Sequence, residues 1–242
     1  MNLSHYDALS FDCYGTLIDW EQGIGSVLSA WAHEAGLEPD RESLLRMYAV
    51  HETRTEREAP TMLYSGVLAA SFTALGEELG TMVSPEWAAR LGASVPDWPA
   101  FPDSHDALSA LGSRYPLIIL SNVHRAGFAA SARRLDVSFD HILTAEDIGS
   151  YKPAARNFDA LNTLCAQIGI GEGRLLHVAQ SLFHDHLPAK AAGIPTVWIN
   201  RRSDRPGWGA TPQPTSEVSP DWEYPSLAAF AEACRLDAAP AG

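Results

Sequence analysis

"LSFDCYGTLIDW", residues 9–20, ends a short apolar run on a carboxylate and then turns at once. Asp12 closes the run, Tyr14 follows two residues later, and Gly15 and Thr16 complete the turn. "ALSFD", residues 8–12, reads as a short buried strand. A carboxylate there lies where open α/β sheets place their ligands, beyond the carboxyl ends of the strands. The turn itself holds one carboxylate, Asp12, with a phenol two residues on.

After this stretch the pattern becomes helical. "EQGIGSVLSAWAHEAG", residues 21–36, places Ile24, Val27, Leu28, Trp31 and Ala35 on one helical face. A second helix is predicted from Arg41 to the break at Pro60, and a third carries Leu68, Phe72, Leu75 and Leu79. Ser84-Pro85 opens a short helix running through Leu91. "SVPDWPAFPDS", residues 94–104, is rich in proline and marks a boundary.

Beyond the boundary, helices predicted at 104–112, 125–135, 154–168 and 185–192 alternate with apolar strands. The strands lie in "YPLIILSN" (115–122), "HILTA" (141–145), "RLLHVA" (174–179) and "PTVWIN" (195–200). Such alternation implies parallel pairing in a doubly wound α/β sheet. "RRSDRPGWGATPQPTSEVSPDW", residues 201–222, reads as a proline-rich loop, and "SLAAFAEACRL", residues 226–236, as a last helix docked on the sheet. The first strand therefore belongs with the second half of the chain. The expected organisation is an α/β core of residues 1–20 and 98–242 with a helical cap, residues 21–97, inserted between them.

Composition narrows the function. The chain has 242 residues, of which 46% are hydrophobic and 19% charged, the balance of a water-soluble globular protein. A net charge of −13 with 17 basic residues argues against nucleic acid and anionic membrane as partners, though not against an anionic small molecule held in a locally positive pocket. No window reaches the roughly 20 apolar residues of a membrane span, and the first residues lack the basic and apolar segments of a signal peptide. Cys13, Cys165 and Cys234 are scattered and read as reduced thiols. These features predict a cytoplasmic protein.

Polar residues follow three of the strands. Asp12 ends the first, Ser121 and Asn122 end "PLIIL", and Gln180, Ser181 and Asp185 follow "LLHVA". Lys152 lies in "GSYKPAARNF", just before a helix. Any one of them simply begins a loop. Four such segments converging on one rim predict a ligand site.

"DCYGT", "SN" and "KP", in this order and at these places, resemble the motifs of the haloacid dehalogenase (HAD) superfamily, over residues of about 5 to 20 and 100 to 235. Most members are magnesium phosphatases, with D-x-D in the first motif and paired acids in the last. This chain departs at both points: Tyr14 replaces the second Asp, and "VAQSLFHD" puts Gln180 where an Asp is usual. Magnesium wants hard, charged oxygen ligands, so two losses of charge predict a site without metal or other cofactor. D-x-Y-G-T instead resembles the type II (S)-2-haloacid dehalogenases. A departing halide needs no proton, which makes the second carboxylate dispensable.

The resemblance implies covalent catalysis. Asp12 is the nucleophile, oriented by Thr16 and kept ionised by Lys152, and Asp185 orders the lysine. Ser121 and the backbone N–H groups of Cys13 and Tyr14 hold the substrate carboxylate, and Asn122 lies near the leaving halide. Ser181 keeps its usual place, whereas Gln180, Leu182 and His184 stand where Ser, Asn and Trp are usual. His184 is a base or a pocket wall. The halide-binding arginine belongs on a cap helix, where Arg46 is the choice and Arg41, Arg54 and Arg57 are rivals. A small-molecule 2-haloacid is the implied partner, and a homodimer is compatible with the family.

The neighbouring histidines of "HDH", residues 184–186, face different ways at a helix start and do not suit a shared metal. "GIGEG", residues 169–173, precedes a strand and so does not suit a dinucleotide. Trp31, Tyr48 and Tyr64 read as cap core or pocket lining. The rival functions are another HAD hydrolase, either metal-free or a divergent magnesium phosphatase, acting on a small acid or phosphate ester, and a binding protein without catalysis. The complete set of Asp12, Thr16, Ser121 and Lys152 counts against the last.

Overall fold

The computed structural model describes residues 3–205 and 209–237. Its centre is a six-stranded sheet in which every neighbouring pair is parallel. The strands are β1 (Ala8–Phe11), β2 (Leu117–Ser121), β3 (His141–Thr144), β4 (Leu175–Ala179), β5 (Thr196–Ile199) and β6 (Trp222–Tyr224). Their order is β3-β2-β1-β4-β5-β6. β1, β2 and β4 are buried at every residue, as expected for strands covered on both faces. The chain builds outward from β1 through β2 to β3 and then returns to the other side of β1 with β4. The switch point between β1 and β4 opens a crevice at their carboxyl ends, where such sheets bind ligands.

Four helices stand between β1 and the rest of the core: α1 (Trp20–Glu34), α2 (Arg41–Glu58), α3 (Tyr64–Glu78) and α4 (Pro85–Gly92). Consecutive members of this insert pack on one another. Local chemistry sets their starts. Asp19 and Asp40 accept the Gln22 and Ser43 N–H groups, each at 2.9 Å, and Ser84 precedes Pro85 at the first turn of α4. Ile24, Val27, Leu28 and Trp31 are buried on α1 as the periodicity predicts. Ala35 is not: it is the exposed C-cap, and Ala32 fills the buried stripe one turn earlier.

The remaining helices are α5 (Ser104–Gly112), α6 (Arg125–Leu135), α7 (Ala145–Ile148), α8 (Ala155–Gln167), α9 (Leu187–Ala191) and α10 (Leu227–Asp237). Three elements differ from the sequence reading. The strand expected at 141–145 stops at Thr144, which caps α7 together with Asp147 in a reciprocal box. The helix expected at 185–192 is divided. Leu182–His186 forms a wide turn with five-residue hydrogen bonding, and α9 begins at Leu187. The loop expected through Trp222 ends in β6, which adds an edge strand; residues 206–208 of that stretch lie outside the described residues. The three cysteines are buried free thiols. Among the described residues no helix is long and apolar enough to cross a membrane.

Candidate active site

The turn after β1 is the tightest part of the site. The Asp12 N–H donates to Val178 O on β4, and the Leu17 and Ile18 N–H groups return to Cys13 O at 2.7 and 2.9 Å. Gly15 has a φ of +94°, and a Cβ there would lie 3.1 Å from both Gln180 Oε1 and Trp20 Nε1. Glycine is thus required for conformation and for space. The turn aims the Asp12 side chain into the crevice and leaves Cys13 fully buried in the core.

Asp12 is held at both oxygens. Thr16 Oγ1 donates to Oδ2 at 2.7 Å, and Lys152 Nζ donates to Oδ1 at 2.9 Å. The Gln180 N–H donates to Thr16 Oγ1 at 2.9 Å, which commits the one threonine proton to Asp12. Lys152 is 2% exposed and uses all three of its donors: on Asp12, on Asp185 Oδ1 at 2.6 Å and on Leu120 O at 2.9 Å. It has no free N–H for a ligand, so it neutralises and positions.

Behind Asp185 the chain of contacts runs into the sheet. His177, in the middle of β4, lies 3.0 Å through Nε2 from Asp185 Oδ1 and 2.9 Å through Nδ1 from Ser10 Oγ on β1. An ionised carboxylate only accepts, which puts the proton on Nε2 and makes Nδ1 the acceptor of the Ser10 hydroxyl. Asp185 Oδ2 is buried and without a partner.

The electrostatics follow from burial and from this pairing. Burial pushes Asp12 up, Lys152 pulls it back down, and the Asp185 charge adds to the rise. Burial by itself would lower Lys152, but Asp12 and Asp185 outweigh it and hold the ammonium above its ordinary value. For Asp185 the pull of Lys152 and His177 overcomes burial and keeps it well below the carboxylate range. Burial pushes His184 down to about 4, so it is a neutral imidazole at ordinary pH.

Seven residues expected at the site line one cavity of about 60 Å³: Asp12, Tyr14, Asn122, Lys152, Ser181, His184 and Asp185. Thr16 stands behind Asp12. Ser121 Oγ is buried beside it without a hydrogen-bond partner, but it is not on the cavity wall. The Tyr14 hydroxyl lies 2.9 Å from Ser131 Oγ on α6, and its ring packs edge-on against Trp98 and stacks on Tyr64. Tyr14 is therefore a wall, pinned at its polar end, and burial keeps its phenol neutral. Asn122 is anchored to the lysine loop: its Nδ2 donates to Lys152 O at 3.0 Å, and its Oδ1 accepts the Lys152 N–H at 2.7 Å. His184 faces the cavity, whereas His186 turns away to Ala179 O, so the two histidines share no ligand. Tyr64 lines the cavity and Trp31 packs against Phe72 in the insert.

Arg46 does not reach this cavity. It pairs with Glu42 at 3.1 Å with its side chain 51% exposed and lines an outer groove. The reason is helical phase: Tyr48, Glu52 and Glu56 form the inward stripe of α2, and a residue two positions from that stripe points away from it. Arg54 and Arg57 also line the outer groove, and Arg41 donates to Glu21 O. The insert faces Asp12 with Glu52 and Glu56 instead, which the sequence reading passed over. Burial raises Glu52 to about 7, and burial and the neighbouring Glu52 charge raise Glu56 well above its ordinary value. Their signal was present: two acids four apart, in register with the buried Tyr48. Ser10 and His177, the other residues missed, are polar positions inside fully buried strands.

Among the described residues no group of three His, Cys, Asp or Glu side chains is arranged to hold a metal ion. Asp12 and Asp185 are bridged by the Lys152 ammonium, and the Gln180 amide oxygen accepts from Thr211 at 3.2 Å.

The chain is 28% identical over 216 residues to (S)-2-haloacid dehalogenase 4A of Burkholderia cepacia, covering 85% of this chain and 87% of that one. It is 27% identical over 246 residues to (S)-2-haloacid dehalogenase of Pseudomonas sp. (strain YL), covering 95% of each. Its fold matches the structure of L-2-haloacid dehalogenase from Xanthobacter autotrophicus with chloropropionic acid covalently bound, with a TM-score of 0.74, 17% identity, and coverage of 95% of this chain and 98% of that one. The model of the haloacid dehalogenase-like hydrolases matches residues 6–193, from the strand before Asp12 to the helix after Asp185, and the chain belongs to that family.

Proposed function

We propose that the protein hydrolyses the carbon–halogen bond of short (S)-2-haloalkanoic acids, giving 2-hydroxy acids, without a metal. The observation that carries this reading is the fully committed Asp12–Lys152 pair beside a Tyr14 whose hydroxyl is turned to Ser131. The site offers a nucleophile with no protonated acid beside it on the core side, since Lys152 and His177 hold Asp185 ionised, which suits a leaving group that departs as an anion.

One Asp12 oxygen attacks C2 from the side opposite the halogen. The C2–halogen bond breaks, halide leaves with the electron pair, and C2 is inverted in an aspartyl ester. Water then attacks the ester carbonyl, the bond from that carbonyl to the substrate oxygen breaks, and the 2-hydroxy acid leaves with Asp12 regenerated. One proton is released per turnover. The N–H groups of Cys13 and Tyr14 take the substrate carboxylate, Ser121 stays behind the cavity wall, and Asn122 lies near the halide. Asp185 Oδ2, buried and unpartnered on the cavity wall, accepts from the hydrolytic water. Arg46 has no part in this scheme. The helices of residues 21–97 act as a cap, with α2 closing the cavity.

A magnesium phosphatase is the second reading, and the donor set fits it poorly. Gln180 brings a neutral amide to the place of a carboxylate, and the two remaining acids already share an ammonium.

The test is halide release from each enantiomer of 2-chloropropionate in EDTA, beside a phosphate ester with magnesium. Halide from the (S) form alone is expected, and D12N should lose it by about a thousand-fold or more. Magnesium-dependent phosphate release without halide would replace this reading by the second.

A further inference from the structure

The dehalogenation scheme leaves two acids in the cavity unused. Glu52 and Glu56 sit one turn apart on α2 and line the same cavity as Asp12. Glu56 is 6% exposed and accepts from Asn122 Nδ2 at 3.3 Å. Glu52 Oε1 accepts from the Tyr64 hydroxyl at 2.9 Å and the Tyr48 hydroxyl at 3.3 Å. All of these partners are neutral donors. Among the described residues neither glutamate has a lysine, arginine or histidine within ion-pair distance. The one ammonium on the cavity wall is fully used by Asp12, Asp185 and Leu120. A third carboxyl oxygen, Asp185 Oδ2, is buried there without any partner.

A bare 2-haloalkanoate is a poor complement to such a wall. Its alkyl chain and halogen donate nothing to a carboxyl group. With no cation beside them the two buried acids hold their protons above the ordinary carboxylate range, and a cation between them favours their ionised form. A protonated amine supplies both the charge and three donors. Ala49, Ala210, Thr211 and Pro212 line both this cavity and a wider outer groove of about 670 Å³, which also carries Arg46, Arg54 and Arg57.

We propose that Glu52 and Glu56 are specificity residues that bind a protonated amino group on the substrate, so that the preferred class is a 2-substituted acid carrying a cationic amine rather than a simple haloalkanoate. This rests on the dehalogenase reading for the chemistry at C2 and is separable from it by experiment. The probes are two products of that chemistry, 4-amino-2-hydroxybutyrate and 2-hydroxybutyrate, titrated calorimetrically into wild type, E52Q and E56Q. Wild type is expected to bind the amine about ten-fold tighter or more, the scale of one buried charge-assisted hydrogen bond. Each substitution should shrink that ratio. Equal affinities in wild type, no measurable binding of the amine, or a preference that survives both substitutions would overturn the proposal. Because E52Q or E56Q could lose its fold, their melting curves are recorded in parallel, and the wild-type ratio stands as a test without them. Halide release from 2-chloropropionate is measured on the same protein. Halide without an amine preference removes this inference alone, and an amine preference without halide removes the dehalogenase chemistry and keeps the amine site.

Discussion

The two walls of the cavity are built on opposite principles. On the core side one cation serves two carboxylates: Lys152 bridges Asp12 and Asp185, and His177 and Ser10 back the set with hydrogen bonds. On the insert side Glu52 and Glu56 meet only phenols and an amide. The first wall holds its carboxylates against a shared ammonium, with only Asp185 Oδ2 left without a partner. The second is incomplete. The contrast separates two ways of holding acids: at the carboxyl ends of the strands they share an ammonium, and on α2 they meet only neutral donors.

The comparison is broken most severely by K152M. Removing the ammonium leaves Asp12 and Asp185 facing each other, both buried, so a loss of about 3–5 kcal/mol in stability is expected together with loss of turnover. Denaturant melts of wild type and variant measure it. A loss below about 1 kcal/mol would mean that the core wall does not depend on its charge balance.

A pH titration of stability sharpens the other side. Burial holds Glu52 at about 7 and Glu56 well above its ordinary 4.5, so the folded protein keeps protons that the unfolded chain gives up. The stability that Glu52 contributes is full below 4.5 and is lost as pH rises through about 7. His184 and His186, pushed down by burial to about 4, act with the opposite sign: stability grows from about 4 and levels off only above their ordinary 6.5. The Glu52 contribution is therefore read as the difference between wild type and E52Q, in which the histidine gain cancels. Between pH 6.5 and 8 the Glu52 share of the decline is about 0.8 kcal/mol, and E52Q should lack it. Parallel slopes for wild type and E52Q would show that Glu52 is ionised throughout.

Y14F asks whether the phenol is a wall or an acid. Losing the contact with Ser131 should cost about 1 kcal/mol of stability and change turnover by only a few-fold. A collapse of turnover with stability intact would put the hydroxyl into the chemistry. The smallest effect is expected for R46A. An exposed pair with Glu42 contributes about 0–1 kcal/mol, and halide release should be nearly unchanged. A large fall in kcat would mean that α2 rotates in the working enzyme.

Much of the core was legible because its signals are local. Apolar runs of four or five residues, each ending in a polar cluster, predict parallel strands and a common rim, and β1, β2 and β4 stand where those runs lie. Thr144 with Asp147 spelled out α7 as well, a cap motif overlooked beside a strand. β6 was not legible, because three residues carry no periodicity and pairing with β5 alone makes them a strand.

By itself the sequence determined the parallel sheet, the family, and the identity of the carboxylates and lysine at the rim, since each depends on residue order and on short-range pattern. Only the tertiary structure decided which face of α2 meets the nucleophile, and so exchanged Arg46 for Glu52 and Glu56. It alone also joined Ser10 and His177 to Asp185 across neighbouring strands. The physical reason is the same in both cases. A helix has residues of every chemistry around its circumference, and a strand hides polar groups among apolar ones. Packing then selects the face that is buried, and burial sets what the charges on it must do.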